Sequence, residues 1–228
     1  MTLTLCKDWS NFDMFREIIK HLEETSKNKE NILKGVVHVG AHLAEEVDFY
    51  EKAGASRVMW VEANPAIYEK LIEKFAIRTH TGVQHSFVNK CLSDEDGQVV
   101  NFNITNKTQS SSMLNLQEHT KYYPDIKVVE TISMTTTTFQ KIAETTEYNP
   151  KLYDFLCIDV QGAEMKVLKG FGNLLNTFNM ICIEVNEEHL YENGALLNDI
   201  NHHLGLYGFI NKLTVMTEAK WGEALYVK

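Results

Sequence analysis

Two stretches, Gly35-Val-Val-His-Val-Gly-Ala-His42 and Val58-Met-Trp-Val-Glu-Ala-Asn-Pro65, decide the reading of this chain. The first is an apolar run that ends on a glycine and leads into a helical pattern. The second is another apolar run, ending on the acid Glu62. A strand, a glycine turn, a helix and a second strand with a terminal acid form the arrangement by which α/β folds hold a nucleoside. The glycine admits close backbone approach, and the acid accepts hydrogen bonds from ribose hydroxyls.

The rest of the chain continues the alternation. An apolar helical spacing at Phe12, Phe15, Ile18, Ile19 and Leu22 predicts an N-terminal helix, followed by the polar linker Lys27 to Asn31. This divides the chain into an N-terminal helical extension, 1–30, and a main domain, 31–228. Strands are expected at 35–39, 57–62, 85–92, 98–104, 128–134, 153–160 and 180–185, with a closing pair at 207–215 and 224–227. The turn cluster Ser93-Asp-Glu-Asp-Gly97 predicts a β-hairpin between 85–92 and 98–104. Helices are expected at 43–53, from Asn64-Pro65 to about 75, after Gly162, and at 194–205. Near-continuous apolar strands alternating with helices imply a parallel sheet covered on both faces. The expected fold is α/β, a mostly parallel seven-stranded sheet with a terminal antiparallel pair and an inserted hairpin. The polar segment 105–125 reads as a long loop, which in a compact domain is more often functional than accidental.

Composition narrows the function. The net charge of −9 and the lack of a basic stripe argue against a nucleic-acid partner. No run is long enough to span a bilayer, and Met1 to Asp8 lacks the features of a secretory leader. Cys6, Cys91, Cys157 and Cys182 are widely spaced with no C-x-x-C, which fits a reducing, cytoplasmic compartment.

The ends of three predicted strands carry Gly40, Glu62 and Asp159, and ligands of open α/β sheets bind beyond such ends. No G-x-G-x-x-G follows the first strand, so there is no cradle for a pyrophosphate. A ligand with ribose but no phosphates fits better, and S-adenosylmethionine is the candidate.

At this point the chain resembles the FkbM-type family of S-adenosylmethionine-dependent methyltransferases, over roughly residues 33–228. The resemblance rests on Val39-Gly-Ala-His42, Val61-Glu-Ala-Asn-Pro65, Cys91 to Gly97, Ser110-Ser-Ser-Met113 and above all Cys157-Ile-Asp-Val-Gln-Gly-Ala-Glu-Met-Lys-Val-Leu-Lys-Gly170. It implies a Rossmann-like class I methyltransferase fold and transfer of a methyl group to oxygen, mostly on sugar, glycan or polyketide hydroxyls. It assigns cofactor contacts to His38, Gly40, Ala41, Glu62, Ala63, Cys91, Leu92, Asp94 and Asp159. The chain departs from the family at His38, where Asp is usual, at Ala44, which replaces a usual Gly or its neighbour, and at Gln161, where Glu is common.

Asp159, at the end of a central strand, is the expected residue nearest the transferring methyl, with Glu184 beside it. His189 or His119 is the candidate base, and His189 is the choice carried forward. Ser111, Ser112, Gln161, Glu164 and Asn186 are the expected acceptor contacts. Asp159, Glu184 and Asn186 also offer oxygen ligands for Mg²⁺ or Mn²⁺. The metal is not favoured, because a hydroxyl-rich small molecule or glycan would need the same three groups. Methylation of a small non-sugar hydroxyl is the alternative activity. Because of His38, a module that binds the cofactor without transfer is a second alternative.

Overall fold

The structure, a computed structural model, describes Met14, Ile18, Lys20, Glu24, residues 33–79 and residues 82–228. Those four N-terminal residues are helical, and Met14 and Ile18 are buried. Phe12, Phe15, Ile19 and Leu22, and the expected boundary at residue 30, lie outside the described residues.

The main sheet has seven strands in the order β3-β2-β1-β7-β8-β10-β9. They are β1 (Val36–Val39), β2 (Arg57–Glu62), β3 (Gln84–Asn89), β7 (Phe155–Ile158), β8 (Met180–Asn186), β9 (Ile210–Met216) and β10 (Trp221–Val227). β1, β2, β3, β7 and β8 are parallel, and β10 runs antiparallel to both β8 and β9. This is the mostly parallel sheet with a terminal antiparallel pair that the sequence predicts.

Side-chain alternation along each strand builds two cores. Val37, Val39, Leu156, Ile158, Ile181 and Ile183 face α4 (Phe139–Thr145), α5 (Glu164–Phe171) and α6 (Leu197–Gly205). Val36, Trp60, Phe155, Cys182 and Leu225 face α1 (Val47–Lys52) and α2 (Pro65–Ala76). α2 begins as its sequence dictates, with Asn64 Oδ1 accepting from the Ala66 and Ile67 amides and proline at the first turn. Thr138 caps α4 in the same way through the Lys141 amide.

Two expectations are corrected. The hairpin between 85–92 and 98–104 does not form. The chain leaves the main sheet after Asn89, and β4 (Cys91–Leu92) pairs parallel with β6 (Val128–Thr137), which pairs antiparallel with β5 (Val99–Thr105). The acidic turn is held by β6 instead: Ser93 N donates to Thr137 O, Gly97 N to Thr136 O, and Thr138 N to Asp96. The helix expected from residue 43 starts only at Val47, because Gly40, His42 and Ala44 all take positive φ (+85°, +42° and +52°) and form an irregular loop. Lys74 Nζ holds this loop through the Leu43 and Ala44 carbonyls.

The Ser/Thr/Asn-rich segment after β5 contains a short 3₁₀ turn (Thr108–Ser110) and α3 (His119–Tyr122). It is tied to the rest of the fold. Asn103 bridges to Ser112, Leu116 to Tyr191, and the Gln117 and His119 amides both donate to Leu190 O.

Candidate active site

A cavity of about 670 Å³ opens at the carboxyl ends of β1, β2, β7 and β8, where the topology brings Gly40, Glu62, Asp159 and Glu184 together. The 107–113 segment, with Thr108, Ser110 and Ser111, forms part of its wall.

At β1 the chain is pressed between its two neighbours. The Gly40 and Ala41 amides donate to Val61 O, and the Asp159 amide donates to Val39 O. A β-carbon on residue 40 would lie 1.6 Å from Asp159 O, so glycine is required by the neighbouring strand as well as by its φ of +85°. Glu62 is buried. Its Oε2 accepts from the His42 amide at 2.8 Å and its Oε1 from the Asn64 amide at 2.7 Å. Each carboxylate oxygen keeps acceptor capacity for a ribose hydroxyl. Burial pushes this carboxyl above its ordinary value, opposed by the two amides and by His42.

His42 was quoted in the motif without a role. Its Nε2 meets Thr108 Oγ1 at 2.9 Å and its Nδ1 meets Glu45 Oε1 at 2.8 Å, so it latches the glycine loop to the long loop. Nothing in the sequence pairs residues 42 and 108.

Beyond Asp159 the network is built on Gln161. Its Nε2 donates to Asp159 Oδ1 at 2.7 Å and to Glu184 Oε2 at 2.6 Å, while Tyr191 OH donates to its Oε1 at 2.6 Å. Gln161 itself sits at φ +56°. Burial, the Asp159 charge and Glu164 together hold Glu184 well above the ordinary carboxylate range. Asp159 faces the open cavity. Tyr191, a further residue the sequence did not mark, packs against Gly162, where a β-carbon would come within 2.6 Å of Tyr191 Cβ.

Oxygens of Asp159, Glu164 and Glu184 lie within 4.8 Å of one another. Each already has a partner: Gln161 Nε2 donates to Asp159 and Glu184, and Glu164 Oε1 accepts from the Val160 and Gly162 amides at 3.0 and 3.1 Å. The expected third ligand, Asn186, is buried at the end of β8 and does not line the cavity.

The cavity gathers His38, Gly40, Ala41, Glu62, Ala63, Leu92, Ser111, Asp159, Gln161 and Glu184. Other expected site residues lie outside it. His189 is turned to Gly194 O, 2.9 Å from its Nδ1. Asp94 is engaged by Ser93 Oγ and by Lys166 Nζ at 3.2 Å, beside a separate, smaller cavity. Ser112 Oγ donates to Gln161 O and accepts from the Leu114 amide. Glu164 pins the 160–162 turn from below, and Cys91 is buried in β4.

The other candidate base, His119, does line the cavity. It is buried, its ring lies tilted against Tyr123 and Tyr191, and its Nδ1 has no hydrogen-bond partner among the described residues. Burial and the nearby Lys107 charge lower its pKa, which keeps the ring neutral.

The fold that carries this cavity is shared by solved structures. The solved structures similar to this chain include methyltransferase FkbM from Methylobacillus flagellatus KT (TM-score 0.55, 11% identity, 96% of this chain and 59% of that one). Magnesium protoporphyrin IX methyltransferase from Synechocystis PCC 6803 with bound SAM aligns with TM-score 0.52 and 14% identity, over 95% of this chain and 78% of the other. Fibrillarin from Aeropyrum pernix, in complex with S-adenosyl-L-methionine, gives 0.50 and 10% over 93% and 74%. At these identities the likeness is one of fold. No curated protein sequence matches the chain. The family model for the methyltransferase FkbM domain matches residues 38–211, a span that contains Gly40, Glu62, Asp159, Gln161 and Glu184, and the chain belongs to that methyltransferase family.

Proposed function

We propose that this protein is an S-adenosylmethionine-dependent O-methyltransferase whose acceptor is a hydroxyl of a sugar or glycan. The observation that carries the reading is the division of one cavity into two chemistries. On one side, Gly40, Ala41, Glu62 and Leu92 offer a close backbone, a paired carboxylate and an apolar wall, which suit a nucleoside without phosphates. On the other, Asp159, Gln161 and Glu184 present hydrogen-bonding groups in a wall that also includes Tyr123, Tyr191 and Trp221. Convergent polar groups with aromatic walls suit a polyhydroxylated ring.

S-adenosylmethionine supplies a methyl group on a sulfonium, activated for displacement. The chain has to align an acceptor oxygen with it, and alignment alone is worth about 7–11 kcal/mol. Asp159 accepts a hydrogen bond from the acceptor, while Gln161 and Tyr191 fix the direction of that carboxylate. His119, a neutral ring on the cavity wall, takes the hydroxyl proton as the oxygen–methyl bond forms.

The test is incubation with methyl-¹³C-labelled S-adenosylmethionine and a panel of mono- and oligosaccharides, read by NMR. A new methyl ether on a sugar carbon supports the reading. Label appearing only on nitrogen, sulfur or a non-sugar hydroxyl in a parallel panel overturns it.

A further inference from the structure

The segment that walls the cavity from 107 to 113 joins one half of the site to the other. Its far end is built into the fold. Asn103 and Ser112 exchange both main-chain hydrogen bonds, the Thr105 amide donates to Ser111 Oγ, and Ser112 Oγ donates to Gln161 O. Asn103, Thr105, Ser110 and Ser112 are all buried. At the near end, Lys107 and Gln109 are exposed and Thr108 is half-buried. Among the described residues, a single hydrogen bond ties 107–109 to anything outside 105–111. It joins Thr108 Oγ1 to His42 Nε2 at 2.9 Å.

His42 has three ties of its own. Its amide donates to Glu62 Oε2 at 2.8 Å, its Nδ1 meets Glu45 Oε1 at 2.8 Å, and its Nε2 meets Thr108. An ionised carboxylate only accepts, so Nδ1 carries a proton. On a neutral ring Nε2 is then an acceptor and the Thr108 hydroxyl donates; on a cationic ring the hydroxyl turns and accepts. The bond survives either charge state.

We propose that His42 is a positioning residue for the cofactor, forming with Thr108 a latch that closes residues 107–110 over the bound nucleoside. The strap opens at this end, hinged at Ser112, when cofactor enters or product leaves. Opening there gives up one hydrogen bond at a half-exposed hydroxyl. Opening at Ser112 would break two main-chain bonds and strand a buried hydroxyl. The proposal rests on the reading that Glu62 holds the ribose. His42 gives its amide to that acid and its ring to the strap, so a ligand on Glu62 and closure of the strap favour each other reciprocally.

The experiment measures release of S-adenosylhomocysteine from the whole protein by surface plasmon resonance. Amide exchange of the 105–112 peptide, followed by mass spectrometry, accompanies it. Thr108→Val removes the hydroxyl at constant shape and is expected to speed release about two- to tenfold, the worth of one hydrogen bond. It is also expected to exchange faster than wild type at 107–110 in the ligand-free protein. His42→Asn, which tolerates the left-handed backbone of residue 42 (φ +42°), should match it, and the double variant should be no faster than either single. Thr108→Ser, which keeps the hydroxyl, should keep the wild-type rate. Unchanged release from Thr108→Val overturns the latch while leaving the Glu62 reading intact. A serine variant that behaves like the valine one, or single effects that multiply in the double variant, also overturns it. A wild-type protein that binds no S-adenosylhomocysteine overturns the latch and the Glu62 reading together.

Discussion

The Cα of Gly40 abuts the main-chain carbonyl of Asp159, so that a β-carbon on residue 40 would sit 1.6 Å from the oxygen. The tip of the nucleotide loop and the strand bearing the central acid are one packed unit.

Gly40→Ala must therefore part β1 from β7 or rebuild the loop. We expect a loss of about 4 kcal/mol or more, in the range of the most damaging single substitutions, with loss of cofactor binding. Urea unfolding measures the first and calorimetry the second. An unchanged midpoint would mean that the two strands separate freely.

Glu62→Gln keeps the volume and one acceptor oxygen but removes the charge. Hydrogen bonds to a charged group contribute about 1.5–3 kcal/mol, so S-adenosylhomocysteine is expected to bind roughly 10- to 150-fold more weakly. Titration calorimetry reads this directly. Wild-type affinity in the variant would remove Glu62 from the ribose site.

Stability is expected to fall as pH rises. Burial raises Glu164 to about 7 in the folded chain, from an ordinary 4.5. The folded state holds this proton where the unfolded chain has released it. The associated stability is complete below pH 4.5, declines at up to about 1.4 kcal/mol per pH unit, and is gone above pH 7. Glu46 behaves alike, raised to about 7 mainly by burial. Glu164→Gln retains the oxygen that accepts from the Val160 and Gly162 amides and should flatten the melting curve's pH dependence. An equal slope in both proteins would place the proton elsewhere.

Gln161→Glu restores the acid common in the family. It removes the amide that donates to Asp159 and Glu184 and adds a like charge between them. We expect a lower melting temperature than wild type at pH 8 and a smaller gap at pH 5.5. A gap of the same size at both pH values would show that lost hydrogen bonds, not charge, dominate.

His119→Ala is expected to leave S-adenosylhomocysteine affinity intact and to slow methyl transfer by about a hundredfold or more, the usual contribution of a general base. The measurement is kcat with whichever acceptor the sugar panel identifies. Unaltered kcat would return the proton to another group.

Much of this protein is written locally in its sequence. The parallel strands, the caps at Asn64 and Thr138, and the pairing of a strand-end glycine with a strand-end acid follow from apolar period and turn chemistry. Those forces act over a few residues, so a linear reading captures them. The acidic turn at 93–97 misled for the same reason: its composition signals a reversal, but its hydrogen bonds go to β6, some forty residues away, |i−j| = 42 for Thr138 to Asp96. The partners of the site were likewise decided by tertiary packing. Gln161 meets Tyr191 across 30 residues and His42 meets Thr108 across 66. Strand order alone sets His38 beside Cys157, and anchoring of the long loop to residues 188–192 brings His119 to the cavity while His189 turns away to Gly194. A sequence lists which side chains can do chemistry. Which of them share a desolvated space depends on long-range contacts that no local period encodes.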